Sequence, residues 1–153
     1  MNVSTAQNSE TEIPYTVRHA VAWVALCLAL AVHVIDEALT DFLSVYNPAI
    51  ISIRERLPWL PLPAFTFEAW LGGLIVAVIV LTVLTVLVLR GAAFMTPLSY
   101  AFGVLMLGMG LLHVAGSLQL GRPMPGVFSA PLLVGASVYL LVTLERFRRR
   151  RQR

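Results

Sequence analysis

Apolar residues run along this chain in four long blocks, separated by short clusters of polar, proline or glycine positions. The second block, residues 69–89, is the plainest, with 21 residues and no charge. A helix rising 1.5 Å per residue needs about 20 residues to cross a hydrocarbon core ~30 Å thick. The first block spans about residues 19–40 and is interrupted by His33, Asp36 and Glu37. The third covers 92–118, with Pro97 in its first turns, where proline is tolerated. The fourth covers 127–144 and closes on Glu145 and a run of arginines. Lipid cannot satisfy an open backbone, so each block must be helical. The pattern predicts an all-α fold, an integral membrane four-helix bundle over residues 18–145. A flexible polar N-terminal tail over 1–17 precedes it, and a polybasic tail over 146–153 follows.

Composition agrees with this picture. The chain has 153 residues, 58% hydrophobic and 12% charged, where a soluble domain carries about 25% charged residues. There is room for one domain. The single cysteine, Cys27, lies in an apolar run and reads as a buried small side chain. No basic segment precedes the first block and no small-residue cleavage site closes it, so no signal peptide is expected.

All 11 basic residues are arginines. With four spans, Arg18, Arg90 and the tail (Arg146, Arg148, Arg149, Arg150, Arg151 and Arg153) fall on one side, and Arg54, Arg56 and Arg122 on the other. The positive-inside rule then puts both termini in the cytoplasm and the chain in the inner membrane. A basic run beside a membrane helix reads as an anchor at the anionic leaflet rather than a nucleic-acid site. Trp23 is expected at the inner interface, Trp59 and Trp70 at the outer one. In the long connection 41–67, NPAIISIRERL predicts a short surface helix with its isoleucines down. The three prolines of LPWLPLP exclude a continuous helix there. They suit either a stiff cover over the bundle's outer end or an ordinary interfacial loop.

Ionisable groups inside a span are expensive and usually face a protein interior. His33 lies roughly 20 Å along the first helix and His113 roughly 27 Å along the third, while Glu68 opens the second from the outer side. All share one depth with Asp36 and Glu37, although they come from three helices. His33 and Glu37 are i,i+4 and His33 and Asp36 i,i+3, so the three share a face. An imidazole and a carboxylate one turn apart can grip a metal ion or pass a proton. Gly110 and Gly116 flank His113, and Ser117 follows one turn on; small residues let a neighbouring helix come close. Asp41 is left at the rim.

The segment His33-Val-Ile-Asp-Glu37 resembles the motif that names the HXXEE family, small bacterial membrane proteins of unknown function. Asp36 stands where that family has its first glutamate. The block GLLHVAGSLQLGRPMPG, with His113, Arg122, Pro125 and Gly126, is similar to the family's second block. Met109 departs from an asparagine expected there, and Pro123 from a common tyrosine. The resemblance covers roughly residues 30–140 and implies a site without implying a reaction. A thinner likeness, in the His33 and Glu37 spacing alone, is to sterol isomerases of the emopamil-binding type.

The expected function is that of a membrane-embedded enzyme with a centre near the outer leaflet, acting on a lipid-like or other apolar small molecule. His33, Glu37, Glu68 and His113 are the expected catalytic groups. With Asp36 they are the expected ligands of a divalent metal, zinc, iron or manganese. A metal-free variant uses a carboxyl of raised pKa and a histidine as acid and base, in isomerisation or cyclisation of an isoprenoid-like chain. A third reading is non-catalytic, an ion-binding, transport or accessory subunit whose polar cluster is structural. Transport by four short helices would call for a homo-oligomer. Three carboxylates at one depth need positive charge, either from a divalent ion or from Arg54, Arg56 or Arg122.

Overall fold

The computed structural model of the chain describes residues 14–152. The acidic stretch around Glu10 and Glu12 lies outside the described residues. The helices are α1 (Tyr15–Leu39), α2 (Leu43–Arg56), α3 (Phe67–Val83), α4 (Thr85–Leu89), α5 (Met95–Leu120) and α6 (Ala130–Arg151), and no strand occurs among the described residues. Among the described residues, four stretches are long and apolar enough to cross a membrane: Tyr15–Leu39, Phe67–Leu89, Met95–Leu120 and Ala130–Arg150. The first starts before the expected boundary, so residues 15–17 belong to the helix rather than to a tail. The arginine run is likewise no separate tail. α6 continues through it, with Arg148 and Arg149 each 3.0 Å from Glu145. Arginine is a good helix former, and pairs at i,i+3 and i,i+4 suit helical geometry.

α1 is the central helix. Its buried positions, among them Ala20, Trp23, Leu26, Cys27, Leu30, His33, Val34 and Glu37, recur at helical spacing over its whole length. It packs against α6, the α3–α4 span and α5, while α5 packs chiefly on α6. The α3–α4 span is peripheral: 6% of its most apolar window is buried, against 56% for α1. Trp23, expected at the interface, is instead fully buried. Its indole N–H donates to the carbonyl of Leu81 at 2.9 Å. The break between α3 and α4 at Leu84 falls one turn on from this carbonyl, as expected where a side chain enters the helical ladder. Trp59 is 75% exposed, as an interfacial residue should be.

The turn after α1 fixes the outer end. Phe42 N–H donates to Glu37 O and Asp41 takes a φ of 56°. This is the left-handed cap that closes a helix with a six-to-one bond, which aspartate tolerates better than most residues. α2 follows at once, beginning at Leu43 rather than at Asn47 and accommodating Pro48. Of its isoleucines only Ile50 is buried, while Ile51 and Ile53 are exposed. The proline segment then folds back on α2: Tyr46 donates to Pro63 O, and Asn47 exchanges two hydrogen bonds with the backbone of Phe65.

Candidate functional site

Three polar side chains from two helices meet near the end of α1. His33 is 1% exposed, Glu37 5% and His113 2%. His113 Nε2 lies 3.2 Å from Glu37 Oε1, and His33 Nε2 lies 3.7 Å from the same oxygen. The two imidazoles stand edge to face, 4.7 Å between ring centres. One ligand atom from each residue falls within 4.8 Å of both others.

The outer nitrogens of both rings are tied down. His113 Nδ1 is 2.6 Å from the carbonyl of Pro125, which can only accept, so this nitrogen carries a proton. His33 Nδ1 is 2.8 Å from Ser129 Oγ. The serine proton is directed to Asp36 Oδ2 at 2.7 Å or to Gly126 O at 3.2 Å. In either case its lone pair faces His33, so His33 donates through Nδ1–H. The inner Nε2 of His33 is then a lone pair that is buried and has no hydrogen-bond partner among the described residues. Leaving such a group unpaired costs about 1–3 kcal/mol.

The residues that orient the rings come from the α5–α6 connection. Ser129 precedes α6, and its N–H and hydroxyl both bind Asp36 Oδ2, at 2.8 and 2.7 Å. Gly126 has a φ of 82°, and a β-carbon there would sit 2.9 Å from His113 Cε1 and 3.0 Å from Glu37 Cγ. Its N–H donates to Thr40 Oγ1 at 3.3 Å. Gly110 brings α5 onto α6, where a β-carbon would meet Val134 Cγ2 at 2.7 Å and Ala130 O at 3.2 Å. Gly116 faces Met124 of the connection. Phe42 lies beside His113, ring centres 5.9 Å apart, and stacks on Trp70 of α3 at 5.7 Å.

Of the five residues singled out by depth, the structure brings His33, Glu37 and His113 together. Asp36 faces α6, and its carboxylate anchors Ser129 instead of joining the three. Glu68 is exposed in the first turn of α3 and is outside the group. Arg54, Arg56 and Arg122 make no ion pair with Asp36 or Glu37 among the described residues. The charge they were a candidate source of is therefore not supplied by arginine. Ser129 and the backbone of Pro125 and Gly126 were not read as site residues from the sequence. The Pro-Gly pair was visible only as part of the second block.

Two imidazole nitrogens and one carboxylate oxygen, with both outer N–H groups anchored, are a donor set that could hold a metal ion. The separations of 3.2 and 3.7 Å bracket the tetrahedral edge of about 3.3–3.4 Å implied by bonds of about 2.0–2.1 Å to zinc. No curated protein and no solved structure matches the chain. The model of the family described as "Protein of unknown function with HXXEE motif" matches residues 23–140, which contain His33, Asp36, Glu37, His113 and Ser129. The chain belongs to the HXXEE-motif family.

Proposed function

We propose that the protein is a membrane-embedded enzyme that holds one divalent metal ion on His33, Glu37 and His113 and acts on a lipid-like or other apolar small molecule. The observation that carries this reading is the orphaned Nε2 of His33, aimed with His113 Nε2 at a shared carboxylate oxygen. A divalent ion would use both lone pairs and balance the charges of Asp36 and Glu37. Zinc, iron(II) and manganese(II) all accept two imidazoles and a carboxylate. Three protein ligands leave a coordination position for substrate, the pattern of catalytic rather than structural sites. When bound, the ion would act as a Lewis acid on a substrate oxygen.

The protein's own part is positional. Asp36, through Ser129, holds the tautomer and plane of His33, and Pro125 O holds those of His113. The rings of Phe42 and Trp70 give the centre an apolar flank suited to a hydrocarbon substrate. The arginine distribution supports an orientation with both termini in the cytoplasm and the centre in the outer half of the inner membrane.

A metal-free reading rests on one contact, the 3.2 Å separation of His113 Nε2 and Glu37 Oε1, which is also that of a hydrogen-bonded acid–base pair. Metal analysis of the detergent-purified protein separates the two. The metal reading expects one equivalent in the wild type and in Glu68→Gln, and loss in Glu37→Gln and His113→Ala. A wild type that takes up no zinc, iron or manganese even on reconstitution would leave the acid–base pair. Catalysis is tested by comparing the lipids of membranes expressing wild type and Glu37→Gln. Identical lipid profiles together with bound metal would make the centre structural.

A further inference from the structure

At the other end of the bundle, the starts of α1 and α5 and the end of α6 enclose a cleft of about 630 Å³. It is separate from the histidine–glutamate centre: His19, on its wall, lies roughly 21 Å back along α1 from His33 at 1.5 Å per residue. Small-molecule sites occupy about 300–1,000 Å³ and one water about 30 Å³, so the cleft has room for an organic ligand. Val88, Leu144 and Phe147 give it apolar walls. Tyr15 stacks on Phe147, ring centres 3.4 Å apart, and ties α1 to α6 at that wall.

His19 is only 3% exposed yet faces this space. Ser99 gives its hydroxyl proton to Met95 O at 2.6 Å, so Ser99 Oγ accepts from His19 Nε2–H at 2.8 Å. The ring has no carboxylate partner among the described residues, and a buried unpaired charge is costly. Nδ1 is therefore a lone pair, and it makes no hydrogen bond with any described residue. A polar atom of a buried side chain normally has a partner. What Nδ1 lacks is a donor, which excludes a phosphodiester, a carboxylate and an ether. An ammonium donor would meet Arg18, Arg90 and the arginines of α6. Glu145, the acidic group at this end among the described residues, is already engaged by Tyr100, Arg148 and Arg149. A neutral hydroxyl on an apolar body is the donor that fits both the lone pair and the walls.

We propose that this cleft binds a neutral lipid alcohol, whose hydroxyl donates to His19 Nδ1 and whose chain runs along Val88, Leu144 and Phe147. The site is independent of any metal at the other end. Long-chain alcohols and diacylglycerols share this chemistry.

Native mass spectrometry of the full chain, in a detergent without hydroxyl groups, tests this with 1-hexadecanol as probe. Its methyl ether keeps the chain and removes the donor, while hexadecyl phosphate and hexadecylamine carry the two charges. The wild type is expected to prefer the alcohol to the ether about fivefold, the worth of one neutral hydrogen bond. His19→Phe keeps a flat ring and should bind alcohol and ether alike. Ala93→Trp, at the exposed lip of the cleft, should weaken both and keep the preference, and so tests the cleft if His19→Phe fails to fold. Displacement of hexadecanol by dioleoylglycerol, with the same dependence on His19, supports a two-chain alcohol as the occupant; failure to displace supports a single-chain one. Equal binding of alcohol and ether by the wild type would leave Nδ1 to water and overturn the site. Tighter binding of the phosphate or the amine, a preference that survives in His19→Phe, or unchanged binding in Ala93→Trp would overturn it as well.

Discussion

Replacing Ser129 with alanine removes the hydroxyl that joins His33 to Asp36. Groups that orient a metal-binding histidine are worth about 10–100-fold in affinity, so Ser129→Ala should weaken metal binding by that factor in a chelator competition. Ser137→Ala should not, because among the described residues Ser137 bonds only to Leu133 O of its own helix; equal losses in the two would deny Ser129 its positioning role. Gly126→Ala places a methyl group against the His113 ring and a side chain at a φ of 82°. The expected cost is about 1–3 kcal/mol, seen as a lower thermal midpoint in detergent together with weaker metal binding, and an unchanged midpoint would contradict the close approach. His33, Glu37 and His113 were legible as residues because charge and imidazole are costly at that depth. Spacing alone could not tell Asp36 from Glu37, since i+3 and i+4 lie on one face; the position of α6 separates them. Ser129 gave no signal, because serine and threonine in an apolar helix usually bond back to their own turn, as Ser137 and Thr143 do.

Helix α5 reaches α6 through Gly110 and turns Gly108 elsewhere, with nothing within 4 Å of a β-carbon at Gly108. Gly110→Val should therefore force the two helices apart and cost about 1–3 kcal/mol by overpacking, while Gly108→Val should be nearly neutral. Thermal unfolding of the pair in one detergent checks this, and equal midpoints would contradict the packing described. The four spans were legible because hydropathy and length suffice for them. Their ends were less so: α1 starts directly after Pro14, whose carbonyl accepts from the Val17 and Arg18 N–H groups, and arginine's helix propensity and ion pairing to Glu145 continue α6 past its apolar block. Trp23 was misplaced for a related reason. Depth alone suited an interfacial indole, and nothing in the sequence showed that the Leu81 carbonyl would receive its N–H within the core.

Across the whole molecule, the two ends carry different chemistry: arginines at the end with the termini, and the histidine–glutamate centre at the other. The proposed orientation has the arginine-rich end in the cytoplasm, by the positive-inside rule. In a Cys27→Ser background, a cysteine at Pro123 should react with an impermeant maleimide in intact cells, and one at Gln152 only after lysis. The reverse labelling would invert the orientation. The central claim is that α1 and α5 share one metal ion through His33, Glu37 and His113. X-ray absorption at the metal edge of the zinc-reconstituted protein tests it most directly. The account predicts a shell of nitrogen and oxygen at about 2.0–2.1 Å, with outer imidazole scattering that falls in His33→Ala and in His113→Ala. A sulfur shell at about 2.3 Å, or a spectrum unchanged in both variants, would contradict it.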